Sequence, residues 1–276
     1  MKLYISDLDG TLLNNQMCLS DETISILNKL IGEGLNFSFA TARSIDSVEK
    51  IIKPLNLNLP YIIYNGVAVY DPVNKNYLRK NVLSKKLTHE ILSDVEDLSP
   101  FVFIADELEG NHIYFRELLN KGQFNFVNSP INKGDKRFKT LDNYLSLDFD
   151  EYISIACIDK KESLMDLYNK YKNHEELEIH LTEDVYEKEF YWLEFAKKGS
   201  TKKDALIFLK DYLKINNLVT FGDNLNDVSM FSIADESYAV GNAHSDLKKL
   251  ATEVIGTNIE NAVANKIKND FESRIV

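Results

Sequence analysis

The sequence predicts an α/β protein whose core is a doubly wound, Rossmann-like parallel sheet, with an inserted α+β cap domain. Three observations predict this fold class. Short β-branched or aromatic runs alternate with longer amphipathic stretches near the start of the chain, and the same alternation returns near its end. Between these regions the pattern changes to strands that come in pairs. We therefore expect a core formed by residues 1–81 and 197–276, interrupted by a cap at residues 82–196.

The first core segment shows the alternation of strand and helix clearly. The amphipathic stretch 44–53 is broken by Pro54, and the turn signal Asn65-Gly66 separates a third strand from a hairpin arm. The predicted strands are 3–6, 36–40 and 61–64 with the arm 67–70, and the predicted helices are 23–31 and 44–53.

Helices and strands also alternate in the last segment, whereas the middle segment pairs its strands. In the last segment the pattern predicts helices at 202–213, 227–233, 243–250 and 259–268, and strands at 218–221, 238–240 and 254–255. In the middle segment it predicts strands at 101–105 and 152–158 and helices at 84–98 and 161–173. The two core segments are therefore expected to build one sheet, and the middle segment a domain of its own.

Composition limits the classes of partner. Acidic residues outnumber basic ones by 43 to 32, and a net charge of -11 repels a polyanion, so we expect no nucleic acid partner. The acidic Asp7 interrupts the N-terminus before an export signal could form, and no apolar run approaches the ~18 residues that span a bilayer. We therefore expect a cytoplasmic protein without a membrane partner. No sequence feature bears on its oligomeric state.

Polar residues follow three of the predicted core strands, at the edge where open parallel sheets bind ligands. The first strand leads into Asp7 and Asp9, and the second leads into Thr41. A late strand leads into Asp223 and Asp227. One such Asp alone would indicate a helix cap or a turn. Four together repel one another unless a cation compensates them, and an all-oxygen ligand set favours Mg²⁺ over zinc or copper.

Other metal and phosphate sites fit these residues poorly. A calcium-binding EF-hand loop that starts at Asp7 would need Gly at its sixth position and Glu at its twelfth, where Leu12 and Cys18 stand. The chain has neither a P-loop nor a dinucleotide-binding Gly-x-Gly-x-x-Gly after a strand. Nucleoside triphosphates and dinucleotides are therefore unsupported as ligands.

The motifs resemble, in order and approximate spacing, those of the haloacid dehalogenase-like hydrolases. The residues that carry this resemblance are Asp7-Leu8-Asp9-Gly10-Thr11-Leu12, Thr41, Lys202 and Gly222-Asp223 with Asn226-Asp227. Further features are similar to the Cof-type branch of that family. They are the large insertion, Asn65-Gly66, Leu193-Glu194-Phe195, the run from Lys198 to Lys202, and Gly241-Asn242-Ala243. The first and last motifs are the specific ones.

The resemblance implies a phosphatase that acts on a small phosphorylated metabolite. In that family, the residue at Asp7 attacks phosphorus, and the residue at Asp9 protonates the leaving oxygen and then activates the hydrolytic water. Mg²⁺ would be held by Asp7, the Asp9 carbonyl and Asp223, with Asp227 orienting a bound water. The phosphoryl group would be held by Thr41, the amides that follow it and Lys202. The implied phosphate-binding set is Leu8, Thr41, Ala42, Lys202 and Asn226.

Two positions depart from the family pattern. Ala42 stands where a glycine is frequent, and Lys203 follows Lys202, which leaves open which lysine points inward. Arg43 has two interpretations, a substrate contact or a surface residue at a helix start. The aromatic run 190–192 fits strand packing better than a substrate pocket.

Two other functions stay open at this stage. A phosphomutase would use the same nucleophile Asp7 and is distinguished by its product. A regulator that binds a phosphorylated metabolite without turnover would keep the fold and would not need Asp9 or Lys202 for chemistry. Sugar phosphates are the substrate class that the family implies, and flavin or pyridoxal phosphates are alternatives.

Overall fold

The computed structural model describes residues 1–106, 110–129, 132–185 and 187–273. It divides the chain into two compact units. One unit consists of Met1–Lys80 and Thr201–Val276, and the other of Asn81–Ser200. The second unit is therefore an insertion between two segments that fold together.

The elements alternate in the first unit and come largely as paired strands in the second. The strands are β1 (Lys2–Ser6), β2 (Phe37–Phe39), β3 (Tyr61–Ile63), β4 (Ala68–Asp71), β5 (Asn76–Lys80), β6 (Phe101–Asp106), β7 (Gly110–Phe115), β8 (Phe138–Thr140), β9 (Tyr152–Asp159), β10 (Leu177–Glu183), β11 (Tyr191–Lys197), β12 (Asn217–Gly222), β13 (Glu236–Ala239) and β14 (Glu253–Val254). The helices are α1 (Asp21–Gly32), α2 (Ile45–Ile52), α3 (Lys85–Val95), α4 (Lys121–Val127), α5 (Lys161–Tyr171), α6 (Lys202–Leu213), α7 (Val228–Phe231), α8 (Ser245–Leu250) and α9 (Ala262–Glu272).

A five-stranded parallel sheet forms the centre of the first unit, in the order β14-β13-β12-β1-β2. Its strand β1, which lies between β12 and β2, is apolar on both faces, and Leu3, Tyr4 and Ile5 are all buried. A parallel strand that is buried on both faces requires helices on both sides of its sheet. The predicted doubly wound α/β core is confirmed.

The first unit also contains a small antiparallel sheet in the order β3-β4-β5. An isolated parallel bridge between Ala40 and Ile62 joins it to the end of β2. The predicted hairpin after the third strand is confirmed, because β3 and β4 pair antiparallel around the turn Tyr64–Gly66.

The inserted unit is built on a six-stranded sheet in the order β10-β11-β9-β6-β7-β8, antiparallel except where β7 meets β8. Successive residues of β6 point into different hydrophobic clusters, with Val102 in one and Phe101 in the other. Phe190 and Trp192 belong to the second cluster, where Trp192 meets Phe126 edge to face. The aromatic run 190–192 therefore packs within this unit, as predicted.

Three helices of the last segment differ from their predicted ranges, and the one predicted at 243–250 differs only in that it begins at Ser245. The helix predicted at 259–268 begins at Ala262, because Asn258–Glu260 forms a separate turn and Asn261 takes a left-handed φ of 55°. The helix predicted at 227–233 is shortened to Val228–Phe231, because the turn Leu225–Asp227 precedes it. Within the described ranges, the search for a helix of membrane-crossing length and hydropathy finds none.

Candidate active site

Asp7 extends β1 by one residue and lies between the ends of its two neighbouring strands. Its backbone N–H donates to the Phe221 carbonyl of β12 at 2.9 Å, and Ala40 N–H donates to the Ser6 carbonyl at the same distance. Because the strands are parallel and in register at Ser6, their next residues meet at one edge. That edge is the carboxyl end of the sheet, as expected for an open α/β fold.

The turn after β12 brings two further carboxylates to this edge. Asp227 is fully buried, and its Oδ2 accepts the backbone N–H groups of Asp223 at 2.9 Å and Asn224 at 3.1 Å. The strand ends in Gly222 for a steric reason. A Cβ at that position would lie 2.6 Å from Asp227 Oδ2, so any side chain there would displace the carboxylate.

Lys202 supplies the positive charge of the site from the first turn of α6. A capping box between Thr201 and Asp204 fixes the start of this helix. The Lys202 side chain is 1% exposed, and its Nζ donates to Asp7 Oδ1 at 2.5 Å and to Asp227 Oδ1 at 2.7 Å. Lys202, rather than Lys203, is thus the lysine that points inward.

Burial and crowding of like charges shift the pKa values of these groups. Desolvation raises the pKa of Asp7 to about 7, with the charges of Asp227 and Asp9 adding to the rise and Lys202 opposing it. Desolvation and the charge of Asp7 raise the pKa of Asp223 well above its ordinary value. Burial alone would lower the pKa of Lys202, but the charges of Asp227 and Asp7 outweigh it and raise the pKa. The site therefore holds more negative charge than one ammonium group compensates.

These residues fit a divalent cation. Asp7, Asp223 and Asp227 each offer one carboxylate oxygen, and the three oxygens lie within 4.8 Å of one another. A set of oxygen donors with an excess of negative charge is typical of Mg²⁺ sites. Both Asp227 oxygens already accept N–H donors, so this residue suits an indirect role better than direct ligation.

The Asp9 side chain has a different partner. Its two oxygens accept Nε and Nη2 of Arg43 at 2.6 and 2.5 Å, and both side chains are mostly buried. This bidentate pair does not fit the interpretation of Arg43 as a surface residue, because its guanidinium binds a predicted catalytic residue and is mostly buried. A substrate contact of Arg43 stays a prediction. It also holds the Asp9 carboxylate apart from the three-carboxylate cluster of Asp7, Asp223 and Asp227.

The remaining predicted phosphate-binding residues surround this edge. Thr41 is buried at the end of β2, and its hydroxyl accepts the Arg43 N–H at 3.2 Å. Ala42 beside it is exposed, while the Leu8 side chain is fully buried, so Leu8 can face a ligand only through its backbone. Asn226 is part-buried, and its Nδ2 donates to Asn65 Oδ1 at 3.0 Å.

Two side chains at the site make contacts that the sequence patterns did not predict. The buried Thr11 hydroxyl donates to Asp223 Oδ1 at 3.0 Å, and Asn242 Nδ2 donates to the Gly10 carbonyl at 2.7 Å. Both residues stand inside motifs that the sequence singled out, without an assigned role. The position of Thr11 two residues after Asp9 was the available signal, since a hydroxyl there can reach the next strand end.

The comparisons with known proteins agree with this architecture. The family model for haloacid dehalogenase-like hydrolases matches residues 4–267. Phosphatase YwpJ of Bacillus subtilis (strain 168) is 28% identical, over 98% of this chain and 99% of its own length. The 5-amino-6-(5-phospho-D-ribitylamino)uracil phosphatase YcsE of the same organism is 26% identical, over 98% and 95% respectively.

Solved structures show the same fold. A haloacid dehalogenase-like hydrolase from B. subtilis superposes with a TM-score of 0.80 at 27% identity and covers 97% of this chain and 99% of its own. One from Bacteroides thetaiotaomicron has a TM-score of 0.81 at 21% identity, with 97% and 98% covered, which bears on the fold alone. Together with the family match and the named phosphatases, these findings show that the chain belongs to the haloacid dehalogenase-like hydrolases and is a phosphatase of their Cof-type branch.

Proposed function

We propose that this phosphatase is a magnesium-dependent cytoplasmic enzyme that hydrolyses a small phosphate monoester through an aspartyl-phosphate on Asp7. One observation carries the proposal. Asp7 lies buried at the carboxyl end of β1, against the Lys202 ammonium and within 4.8 Å of two further carboxylates. Burying several carboxylates together costs free energy of folding. Such clusters are therefore typical of functional sites.

In the first step, an Asp7 oxygen forms a bond to phosphorus while the bond from phosphorus to the ester oxygen breaks. Asp9, which must carry a proton at the start of this step, gives it to that departing oxygen, so the alcohol leaves neutral. In the second step, Asp9 takes a proton from water as the water oxygen attacks phosphorus. Asp7 is then released as a carboxylate and inorganic phosphate leaves.

The bidentate pair with Arg43 bears on both steps. Arg43 holds both Asp9 oxygens, so one of them must leave the guanidinium before Asp9 can meet the ester oxygen. The phosphoryl oxygens would be held by the Lys202 ammonium, by the Thr41 hydroxyl and the Ala42 amide, and by the Leu8 amide and Asn226.

Mg²⁺ would be held by Asp7, the Asp9 carbonyl and Asp223, and when bound it supplies charge neutralisation for the phosphoryl group and for these carboxylates. Asp227 stabilises this arrangement through its own hydrogen bonds. It accepts the Lys202 ammonium on one oxygen and the backbone of the turn after β12 on the other. Asp227 thereby links the Lys202 ammonium to the turn that carries Asp223.

The inserted unit is proposed to act as the cap that excludes water and selects the substrate. The named relatives YitU, YcsE and YwtE of Bacillus subtilis (strain 168) are phosphatases of 5-amino-6-(5-phospho-D-ribitylamino)uracil. That compound is a phosphate ester of a sugar alcohol, which is chemically similar to the sugar phosphates that the family resemblance implies. We therefore propose sugar and sugar-alcohol phosphates as the substrate class.

The experiment is phosphate release from a panel of sugar, sugar-alcohol, pyridoxal and nucleotide monophosphates, with Mg²⁺ and with chelator. Wild type is compared with Asp7→Asn, which keeps the size of the side chain and removes its charge. We expect turnover that chelator abolishes and that the variant lacks. Turnover that persists in Asp7→Asn would refute the nucleophile, and a phosphosugar isomer as the product would indicate a mutase.

A further inference from the structure

The turn Tyr64–Gly66 after β3 has an unusual backbone. Three successive residues take left-handed φ values, 51° at Tyr64, 53° at Asn65 and 105° at Gly66. Asn tolerates this region better than most residues, whereas a buried aromatic residue such as Tyr64 rarely adopts it. Runs of strained residues persist where the surroundings impose them, and they cluster at functional sites.

This turn is bonded to the loop that follows β2. Asn65 N–H donates to the Thr41 carbonyl at 2.9 Å, and Tyr64 N–H donates to the Arg43 carbonyl at 3.0 Å. The first bond fixes the backbone of a proposed phosphate-binding residue. The second bond fixes the backbone of the residue that holds Asp9.

The same turn lies against the start of α6. A Cβ at Gly66 would lie 2.1 Å from the Thr201 carbonyl oxygen and 2.8 Å from the Lys202 backbone nitrogen. Only glycine permits this approach. The turn therefore also determines where the helix that carries Lys202 begins.

The side chain of Asn65 completes the set of contacts. Its Oδ1 is buried and accepts Nδ2 of Asn226 at 3.0 Å. A carboxamide nitrogen carries two N–H groups, and this bond engages one of them and fixes the rotation of the amide. The direction of the second N–H of Asn226 is thereby fixed as well, which suits a residue proposed to bind the phosphoryl group.

We propose that the turn Tyr64–Gly66 is the positioning element of the phosphate-binding edge, and that Asn65 acts in it as a positioning residue by orienting the Asn226 carboxamide. This inference rests on the phosphate-binding residues proposed above. It gives Asn65-Gly66 a role, although neither residue takes part in the proposed reaction steps. Thr41, Lys202 and Asn226 come from three separate elements, and this turn contacts all three.

The test is a double-mutant cycle with Asn65→Gly and Asn226→Ala. Glycine keeps the left-handed backbone and removes only the side chain, so the fold should be retained. The matched control is Asn261→Gly, at another left-handed asparagine whose side chain also forms hydrogen bonds, here to Ser20 and Glu22. Three quantities are measured: kcat/KM on a chromogenic phosphate ester, inhibition by inorganic phosphate, and the rise in Tm caused by inorganic phosphate.

We expect Asn65→Gly to lower kcat/KM about tenfold and to weaken phosphate inhibition, because a misplaced ligand group loses much of its effect. In the Asn226→Ala background the same change should add little, since the two residues act as a unit. Asn261→Gly should change Tm and leave kcat/KM within about twofold of wild type.

Full additivity of the two substitutions, or wild-type phosphate inhibition in Asn65→Gly, would overturn the proposal. The rise in Tm caused by inorganic phosphate reports phosphate binding at the same edge of the sheet, and it does not require turnover. If wild type released no phosphate from any ester, the proposed function would fail. Loss of that rise in Asn65→Gly would then still support the positioning role, and an unchanged rise would refute it.

Discussion

At the scale of single residues, the lysine that points into the site can be identified by matched substitutions. Lys202→Met removes the ammonium that touches Asp7 and Asp227, and we expect it to lower kcat by about 10³-fold or more. Lys203→Met is the control, and it should stay within about twofold of wild type because its side chain is partly exposed beside the site. Steady-state kinetics check both, and equal losses in the two variants would contradict the assignment.

Arg43 can be tested with a substitution that preserves its charge. Arg43→Lys keeps the positive charge but loses the planar fork that holds both Asp9 oxygens. We expect kcat to fall about tenfold, because Asp9 is no longer held in one orientation. Arg116→Lys, at a half-buried arginine beside Glu117 in the inserted unit, is the control. Full activity in Arg43→Lys would show that one ammonium group suffices to orient Asp9, and it would contradict the role of the bidentate pair.

The sequence predicted most of the residues at this edge because each follows a strand end or opens a helix. Asp7, Asp223, Asp227 and Lys202 do lie together. The positions of the three carboxylates after predicted strands led to that expectation, and for Lys202 the family resemblance did. The partners of their side chains were not predictable in the same way. Asp9 follows β1 and Arg43 follows β2, so their ion pair depends on the rotamers of two side chains that are distant in sequence. The periodicity of the sequence does not predict such rotamers.

At the scale of elements, the end of β12 depends on the absence of a side chain at Gly222. Gly222→Ala would place a Cβ 2.6 Å from Asp227 Oδ2 and push that carboxylate away from Lys202 and the turn. We expect a loss of about 1–3 kcal/mol in the free energy of unfolding and a large loss of turnover. Chemical denaturation and kinetics measure both.

The control for that variant is Gly32→Ala in α1, where nothing lies within 4 Å of the added Cβ. Alanine at a compatible helix position should keep or slightly increase stability. If Gly222→Ala were as stable and as active as Gly32→Ala, the close packing of Asp227 against the strand end would be unnecessary.

Element ranges were predicted well where the apolar period is long and poorly where a turn precedes a helix. α6 was predicted at 202–213 and occupies Lys202–Leu213, because its capping residues and periodicity agree. α9 begins later than predicted, because the sequence signal at residue 259 belongs to the turn Asn258–Glu260, which is closed by its own capping box. Local capping therefore determined the observed start, whereas apolar periodicity determined the predicted one.

At the scale of the whole molecule, metal binding should be coupled to stability and pH. The pKa of Asp7 is raised to about 7 from an ordinary value of 3.8. Between those values the unfolded chain has lost this proton while the folded protein retains it, so the metal-free protein loses stability as pH rises toward about 7. A divalent cation competes with that proton. Mg²⁺ should therefore raise Tm more at about pH 8 than at about pH 5.5.

Thermal unfolding with Mg²⁺ and with chelator at the two pH values measures this coupling. Asp223→Asn is the comparison, since it removes one carboxylate of the cluster and should reduce the Mg²⁺ effect at both pH values. An Mg²⁺ effect on Tm that is equal at the two pH values, or greater at the lower one, would contradict the competition between proton and metal.

The change of periodicity in the middle of the chain is the observation that led to the prediction of an inserted segment at residues 82–196. The structure gives the inserted unit as Asn81–Ser200, with its own sheet and hydrophobic clusters. Substrate choice could not be predicted in the same way, since the insertion to which we assign it in our proposal carries no recognisable sequence motif.

In the proposed mechanism, Asp7 carries the phosphoryl group during turnover. The most direct measurement is acid quenching of the enzyme during turnover of a good substrate with Mg²⁺, followed by peptide mass spectrometry. We predict a phosphoryl group on the peptide that contains Asp7, stable in acid and lost in alkali, and absent from Asp7→Asn. Phosphate release at the full single-turnover rate without any phosphorylated peptide, or with the phosphoryl group on another residue, would contradict the mechanism.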